Sequence, residues 1–288
     1  MIVMNVGYGL GNQMFQYAFA KALAQKNDDT FIIAKEYYDS ENGKREYALD
    51  KFVLSDKVKS LNNHRIVKLL YSMALNKKSK FVHAIYRGFD RVFSPLKMIF
   101  EEDGRNFTDV EYFKGKINIY SGIFQSCKYF DDIKEEIVSD FVLKDIRQEI
   151  QNYGERLHAS DSVCIHIRRG DSVEKEDTNI CGIDYYSRAI DYIKNKIPQA
   201  TIYAFSDDID WVKNNISGVT PIDFTESMFE DLYLMTKCRN FIISNSTFSW
   251  WGQYLSDNND KIVVAPQKWF SYEQTKDDYI YQNYWTVI

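Results

Sequence analysis

The sequence predicts an α/β protein of mainly parallel sheets arranged in two domains. Three observations lead there. The chain has 288 residues, about twice the usual single-domain length. Its N-terminus runs from an apolar stretch through a glycine turn into helical periodicity, and its C-terminal half alternates apolar strands with amphipathic helices.

Residues 2–6 are strand-like and lead through Gly7-Tyr8-Gly9-Leu10-Gly11-Asn12-Gln13 to Met14, Phe15, Ala18, Phe19, Ala22 and Leu23, one face of a helix over 13–26. A second strand covers 30–34. Residues 65–75 read as a helix, 76–80 as a basic exposed loop, 117–124 as a strand, and 131–157 as two charged helical stretches connecting the halves. From residue 162 the alternation is regular. Strands are expected at 162–167, 201–205, 219–224, 240–244 and 261–265, and helices at 185–196, 209–214, 228–238 and 248–255. Ser227 and Glu230 form a Ser-x-x-Glu capping box ahead of the 228–238 helix. Apolar strands in repeated βα units imply a parallel sheet covered on both faces, with ligands at the carboxyl ends of the strands.

Composition bounds the function classes. With 45% hydrophobic and 27% charged residues the chain is an ordinary globular protein. Its net charge of −5, from 36 basic and 41 acidic residues, argues against a nucleic-acid partner. Cys127, Cys164, Cys181 and Cys238 are irregularly spaced, without a CxxC pair or a zinc set, and read as reduced thiols. The first residues lack the basic region and apolar length of a signal peptide, and no run approaches a membrane span. The expected location is cytoplasmic. Aromatic residues make up 16% of the chain, mostly as packing, with some tyrosines available as sugar platforms.

Four polar clusters follow proposed strands. The glycine turn is G-x-G-x-G rather than the dinucleotide pattern G-x-G-x-x-G, and the nearest acidic residue after the second strand is Glu36. It is either a tight turn or a place where backbone N–H groups approach an anion or sugar, with Asn12 alongside. In His166-Ile167-Arg168-Arg169-Gly170-Asp171, strand alternation puts His166 and Arg168 on one face. Two arginines at a buried strand end require an anion or carboxylate: a phosphate or pyrophosphate ligand, or a salt bridge to Asp171. In Phe205-Ser206-Asp207-Asp208-Ile209-Asp210, the Asp208 and Asp210 pair could hold a metal, but residues two apart on a helix do not face each other. Capping by Asp207 or Asp208 is the other reading, and no metal is expected. In Ser244-Asn245-Ser246-Thr247-Phe248-Ser249-Trp250-Trp251-Gly252 the hydroxyls are helix caps or an anion cradle, and the tryptophans are core. No G-x-S-x-G elbow or cysteine-nucleophile motif is present.

In this order, the clusters resemble those of the glycosyltransferase family 11 α-1,2-fucosyltransferases. Gly9-Leu10-Gly11-Asn12-Gln13-Met14-Phe15-Gln16-Tyr17-Ala18 is similar to the family's N-terminal motif, His166 to Asp171 to its donor motif, and the last two clusters to its downstream motifs. The resemblance implies a GT-B architecture of two facing Rossmann-like domains: residues 1–155 on the acceptor side and 156–266 binding GDP-fucose, with a tail at 267–288 packing back on the first domain. It implies an inverting, metal-independent transfer from GDP-β-L-fucose to the 2-hydroxyl of a galactose on an oligosaccharide or glycolipid acceptor. It needs no further cofactor, and a peripheral location at the inner face of a membrane is compatible with it.

By that resemblance His166 lies near the nucleoside, Arg168 contacts the β-phosphate and carries catalysis, and Arg169 reinforces it. Asp207 accepts from guanine or ribose, Ser246, Thr247 and Ser249 line the pyrophosphate, and Gly11, Asn12 and Gln13 contact the donor. Asp171, Glu174 and Glu176 are candidate general bases, with a structural salt bridge to Arg169 the other role for Asp171. After Asp171 family members often carry an aromatic residue, whereas this chain continues Ser172-Val173-Glu174-Lys175. A nucleotide-dependent oxidoreductase and a non-catalytic glycan-binding protein are the competing classes.

Overall fold

The computed structural model describes residues 1–35, 45–55, 58–60, 96–100, 107, 109–169, 180–270 and 280–288. The chain divides into two compact units, Met1–Val142 and Leu143–Ile288.

The first unit is built on β1 (Ile2–Asn5), β2 (Phe31–Ala34), β3 (Val58–Ser60), β4 (Leu96–Phe100) and β5 (Ile117–Ser121). All four pairings are parallel, in the order β3-β2-β1-β5-β4. Ile2, Val3 and Met4 are fully buried, as the middle strand of a covered parallel sheet requires. Helix α1 (Leu10–Lys26) begins three residues before the expected start and is buried around most of its circumference over its first three turns. Gln13 and Gln16 are therefore inside the protein, where an amide must find partners. Further along, the Tyr17 hydroxyl donates to Asp140 Oδ2 at 2.5 Å, and Lys21 pairs with the same carboxylate. Asp140 closes α2 (Lys134–Asp140). The expected helix at 65–75 and loop at 76–80 lie outside the described residues, as does Glu36. The sequence reading missed β3 and β4, both at the sheet's edges.

The second unit contains α3 (Gln148–His158), β6 (Ser162–Ile167), α4 (Ile183–Lys196), β7 (Thr201–Ser206), α5 (Ile209–Asn215), β8 (Thr220–Pro221), α6 (Met228–Lys237), β9 (Asn240–Ile242), α7 (Thr247–Tyr254), β10 (Val263–Ala265) and β11 (Thr286–Val287). The parallel order is β11-β10-β9-β6-β7-β8. Val163, Ile165 and Ile167 alternate along β6 onto one face, against Tyr185, Tyr186, Ala189 and Ile193 of α4. On the helix pair α6 and α7, Gly252 permits close approach: a Cβ there would stand 2.8 Å from the Met235 methyl carbon. Trp250 and Trp251 are wholly buried, as expected, and Trp250 donates its indole N–H to the Ile280 carbonyl at 2.8 Å.

The second unit carries features outside the expected bounds. The boundary falls at 142/143 rather than 155, because α3 belongs to the second unit. Arg147, just ahead of α3, grips the Glu230 carboxylate of α6 with Nε at 2.6 Å and a terminal nitrogen at 2.7 Å. The end of the tail, residues 280–288, adds β11 to the second unit's own sheet: Val264 pairs with Thr286 and Ala265 with Val287. The 219–224 strand shrinks to Thr220–Pro221, since Pro221 has no N–H to extend a ladder and sits on an edge strand. The Ser227 and Glu230 capping box forms in half: Ser227 Oγ accepts from the Glu230 N–H at 3.4 Å, while the Glu230 carboxylate takes the N–H of Glu226 at 2.8 Å. Among the described residues, no helix is long and apolar enough to cross a membrane.

Candidate active site

The register of the second sheet brings three of the clusters together. Ile167 pairs with Ser206 across β6 and β7, and Ile165 pairs with Ile242 across β6 and β9. The chain therefore leaves all three strands at one level, with Arg168 and Arg169 beside Asp207 and with His166 beside Ser244. This is the carboxyl end of a parallel sheet, the usual ligand position in such folds.

His166 is buried, with Nδ1 2.9 Å from Ser244 Oγ and its ring 5.6 Å from that of Phe248. Burial pushes its imidazole down to about 4, with Arg168 acting in the same direction and Asp207 opposing. The ring is neutral at physiological pH and acts as a hydrogen-bonding group.

The arginines sit just past the strand, half-buried rather than buried as expected. The N–H of Arg169 donates to Asp207 Oδ1 at 2.8 Å, stitching the end of β6 to the end of β7. Its guanidinium carbon lies 4.0 Å from the centre of the Trp211 ring, and Nε is 3.6 Å from Asp208 Oδ2. Asp208 caps α5, its Oδ1 accepting from the Trp211 N–H at 3.1 Å, while its own N–H donates to Ser206 Oγ at 3.0 Å. Asp210 points elsewhere, 4.0 Å from Lys213. The two carboxylates of the Asp-x-Asp pair thus diverge, as helix geometry demands. Among the described residues no group of three or more His, Cys, Asp or Glu could hold a metal. Asp207 remains exposed and able to meet a ligand.

The hydroxyl cluster divides. Ser246 is the N-cap of α7, its Oγ accepting from the Phe248 N–H at 3.3 Å, and it is buried. Ser249 is wholly buried, within 3.0 Å of the Ser246 carbonyl and 3.2 Å of the Ser244 carbonyl. Ser246 Oγ serves the cap and Ser249 Oγ donates back to the preceding loop, whereas both were expected to line the pyrophosphate. Thr247 remains half-exposed at the first position of α7. Asp171, Glu174 and Glu176 lie outside the described residues.

In the first unit the glycine turn is a tied loop. Gln13 is wholly buried, its amide donating to the carbonyls of Tyr8 at 3.1 Å and Glu46 at 2.9 Å and accepting from the Ala48 N–H at 2.9 Å. Gln16 accepts from the Gly7 N–H at 2.9 Å and donates to the Gly122 carbonyl at 2.7 Å. Gln13 is therefore a tether, its side chain buried with both amide hydrogens and one acceptor position of the oxygen engaged, and Gly11 is buried within α1. Both depart from the donor-contact expectation. Asn12 is half-exposed, its Oδ1 accepting from Gln125 at 2.5 Å, and remains the reachable polar group of the motif. Tyr8 is half-exposed and holds φ at +69°, a costly conformation for a bulky residue.

Ser244 and Trp211 were missed as functional candidates. Ser244 differs from its neighbours in the cluster only by the strand that places it. Trp211 carries a legible signal, its position three residues beyond a capping aspartate.

The model described as glycosyl transferase family 11 matches residues 1–288. The chain is 29% identical over 298 residues to the O-antigen biosynthesis glycosyltransferase WbnK of Escherichia coli, covering 91% of this chain and 93% of that protein. It is 29% identical over 290 residues to an α-1,2-colitosyltransferase of Escherichia coli, covering 95% and 94%. Among solved structures it resembles the α-1,6-fucosyltransferase NodZ, soaked with GDP-fucose, with a TM-score of 0.51 at 16% identity over 88% of this chain and 91% of that one. NodZ comes from Bradyrhizobium. This last likeness concerns fold, α/β with parallel sheets and GT-B-like. The oxidoreductase and lectin alternatives give way to a glycosyltransferase.

Proposed function

The chain belongs to glycosyl transferase family 11, and from that premise we propose that it transfers L-fucose from GDP-β-L-fucose to the 2-hydroxyl of a terminal galactose on an oligosaccharide or glycolipid precursor, with inversion and without a metal. The observation that carries the reading is the convergence of His166, Arg168, Arg169 and Asp207 at the carboxyl ends of β6 and β7, next to the N-terminus of α7. Guanidinium groups and free helix N–H groups suit a pyrophosphate.

As the bond between fucose and GDP lengthens, negative charge gathers on the β-phosphate and positive character on the sugar ring. Arg168 on that oxygen stabilises the transition state more than the ground state, the work a divalent cation performs elsewhere. Neutral His166 offers its remaining nitrogen to the nucleoside, and exposed Asp207 accepts from guanine or ribose. The acceptor hydroxyl passes its proton to a carboxylate of the following segment, with Asp171, Glu174 and Glu176 the candidates. The reading places the enzyme in the cytoplasm, working on precursors at the inner membrane face.

A second donor is favoured by one observation, the relative named as an α-1,2-colitosyltransferase. Colitose is fucose without its 3-hydroxyl, so the same pyrophosphate site would serve both. Incubation with GDP-fucose or GDP-colitose and an array of galactose-terminated acceptors in EDTA, with the linkage read by NMR, tests the proposal. An α-1,2-fucosyl product supports it. Turnover of GDP-colitose alone replaces the donor, and no turnover of either, or another linkage, overturns the reading.

A further inference from the structure

Trp211 has a role that the family motif does not express. Its indole is partly buried and packs against the edge of the second unit's hydrophobic cluster. It also lies under Arg169, whose guanidinium carbon is 4.0 Å from the ring centre. A core-anchored aromatic with a cation on it is a rigid shelf. The shelf's own position is set from the neighbouring strand: Ser206 Oγ takes the Asp208 N–H, and Asp208 Oδ1 takes the Trp211 N–H. The same aspartate's Oδ2 stands 3.6 Å from Arg169 Nε, and Asp207 holds the Arg169 backbone.

We propose that Trp211 is a positioning residue for donor binding, which holds the Arg169 guanidinium by its face so that its N–H edge is presented to the pyrophosphate. The inference rests on the donor-site reading above. Stacking occupies the π surface of a guanidinium and leaves its in-plane donors available, so the indole fixes the plane without competing with an anionic ligand. Asp208 adds an ionic attraction on the Nε side, its Oδ2 3.6 Å from that nitrogen. A long, rotamer-rich side chain is thereby ordered before the ligand arrives, and less order is lost on binding.

The test compares Trp211→Leu and Trp211→Met, which fill the core side without an aromatic face, with Trp211→Phe, which restores one. Variants are read when their Tm lies within a few degrees of the wild type. Loss of the shelf lowers kcat/KM for GDP-fucose about tenfold and weakens GDP binding by a similar factor, with the acceptor KM unchanged. Trp211→Phe recovers most of this. In an Arg169→Ala background, Trp211→Leu adds little further loss, because the group it orients is gone. An unimpaired Trp211→Leu, or a loss that persists in full without Arg169, overturns the proposal while the donor reading stands. A wild-type protein that neither binds GDP nor turns over the donor removes both.

Discussion

The Nδ1 atom of His166 lies 2.9 Å from the hydroxyl of Ser244, joining the ends of two adjacent parallel strands inside the second unit. The bond fixes the ring's orientation, and on the proposed reading the other nitrogen meets the nucleoside. Ser244→Ala leaves a buried imidazole nitrogen unpaired at a cost of about 1–3 kcal/mol. The expected result is a lower Tm by thermal denaturation, together with a several-fold higher KM for the donor. An unchanged Tm would show that water or a rotated ring replaces the serine.

His166 and Asp231 give opposite pH signatures. The imidazole, pushed down to about 4, binds fewer protons folded than unfolded, so its stabilising contribution is complete above about pH 6.5 and shrinks as pH falls toward 4. By itself that swing is on the order of 3 kcal/mol. Asp231 is pushed up to about 6, chiefly by burial and partly offset by the Thr225 hydroxyl 2.7 Å away. Its folded form holds the proton more tightly, so its contribution falls as pH rises from about 4 to 6. Relative to the wild type, Tm of His166→Phe should rise less steeply with pH between 4 and 6.5, and Tm of Asp231→Asn more steeply. Tm measured across that range checks both signs.

Arg168→Lys keeps the charge and removes the planar fork. The expected loss in kcat is about 100-fold or more, with a wild-type Tm, measured in steady-state assays with GDP-fucose. A near-normal rate would remove Arg168 from its transition-state role.

Gln13→Leu separates a tether from a ligand contact. Removing the amide strands the Ala48 N–H and leaves the carbonyls of Tyr8 and Glu46 without its donors, a cost of about 2–3 kcal/mol. Calorimetry should show a Tm lowered by several degrees, and isothermal titration of the folded fraction should give GDP affinity within about twofold of the wild type. A selective loss of GDP binding at unchanged Tm would restore Gln13 to the donor site.

Activity is expected to survive excess EDTA. Asp208 spends one oxygen on the cap of α5 and turns the other toward Arg169, and Asp210 faces Lys213. Full inhibition by the chelator, reversed by Mg²⁺ or Mn²⁺, would overturn metal independence.

How far the sequence could be read depended on what each residue needed. The middle strands were legible because β1 and β6 are buried on both faces and so are mainly apolar. Edge strands β3, β4 and β11 each take their identity from a single partner strand separated from them along the chain, information that local periodicity does not contain. The cluster at the end of β6 was legible because paired arginines after an apolar strand are costly without an anion. Roles within it were less so: Ser246 and Ser249 carry the same hydroxyl as Ser244, and only the path of the chain into α7 decides that Ser244 meets His166 while the other two bond locally. Gln13 and Gln16 look like ordinary polar helix positions until loops at 46–48 and 122 fold over them.

β1 occupies the middle of the first sheet, with Ile2 opposite both Phe31 and Asn118. A ribosome delivers these partners at very different times. The strand can pair with β2 early in synthesis, while its other edge waits for the chain near residue 118 to emerge. Non-local parallel pairing is slow, and an apolar strand with one open edge is a site of misassembly while it waits. The arrival of β5 is thus the committing event for this unit, so substitutions at buried Ile119 would reduce the yield of folded protein more than the stability of what does fold.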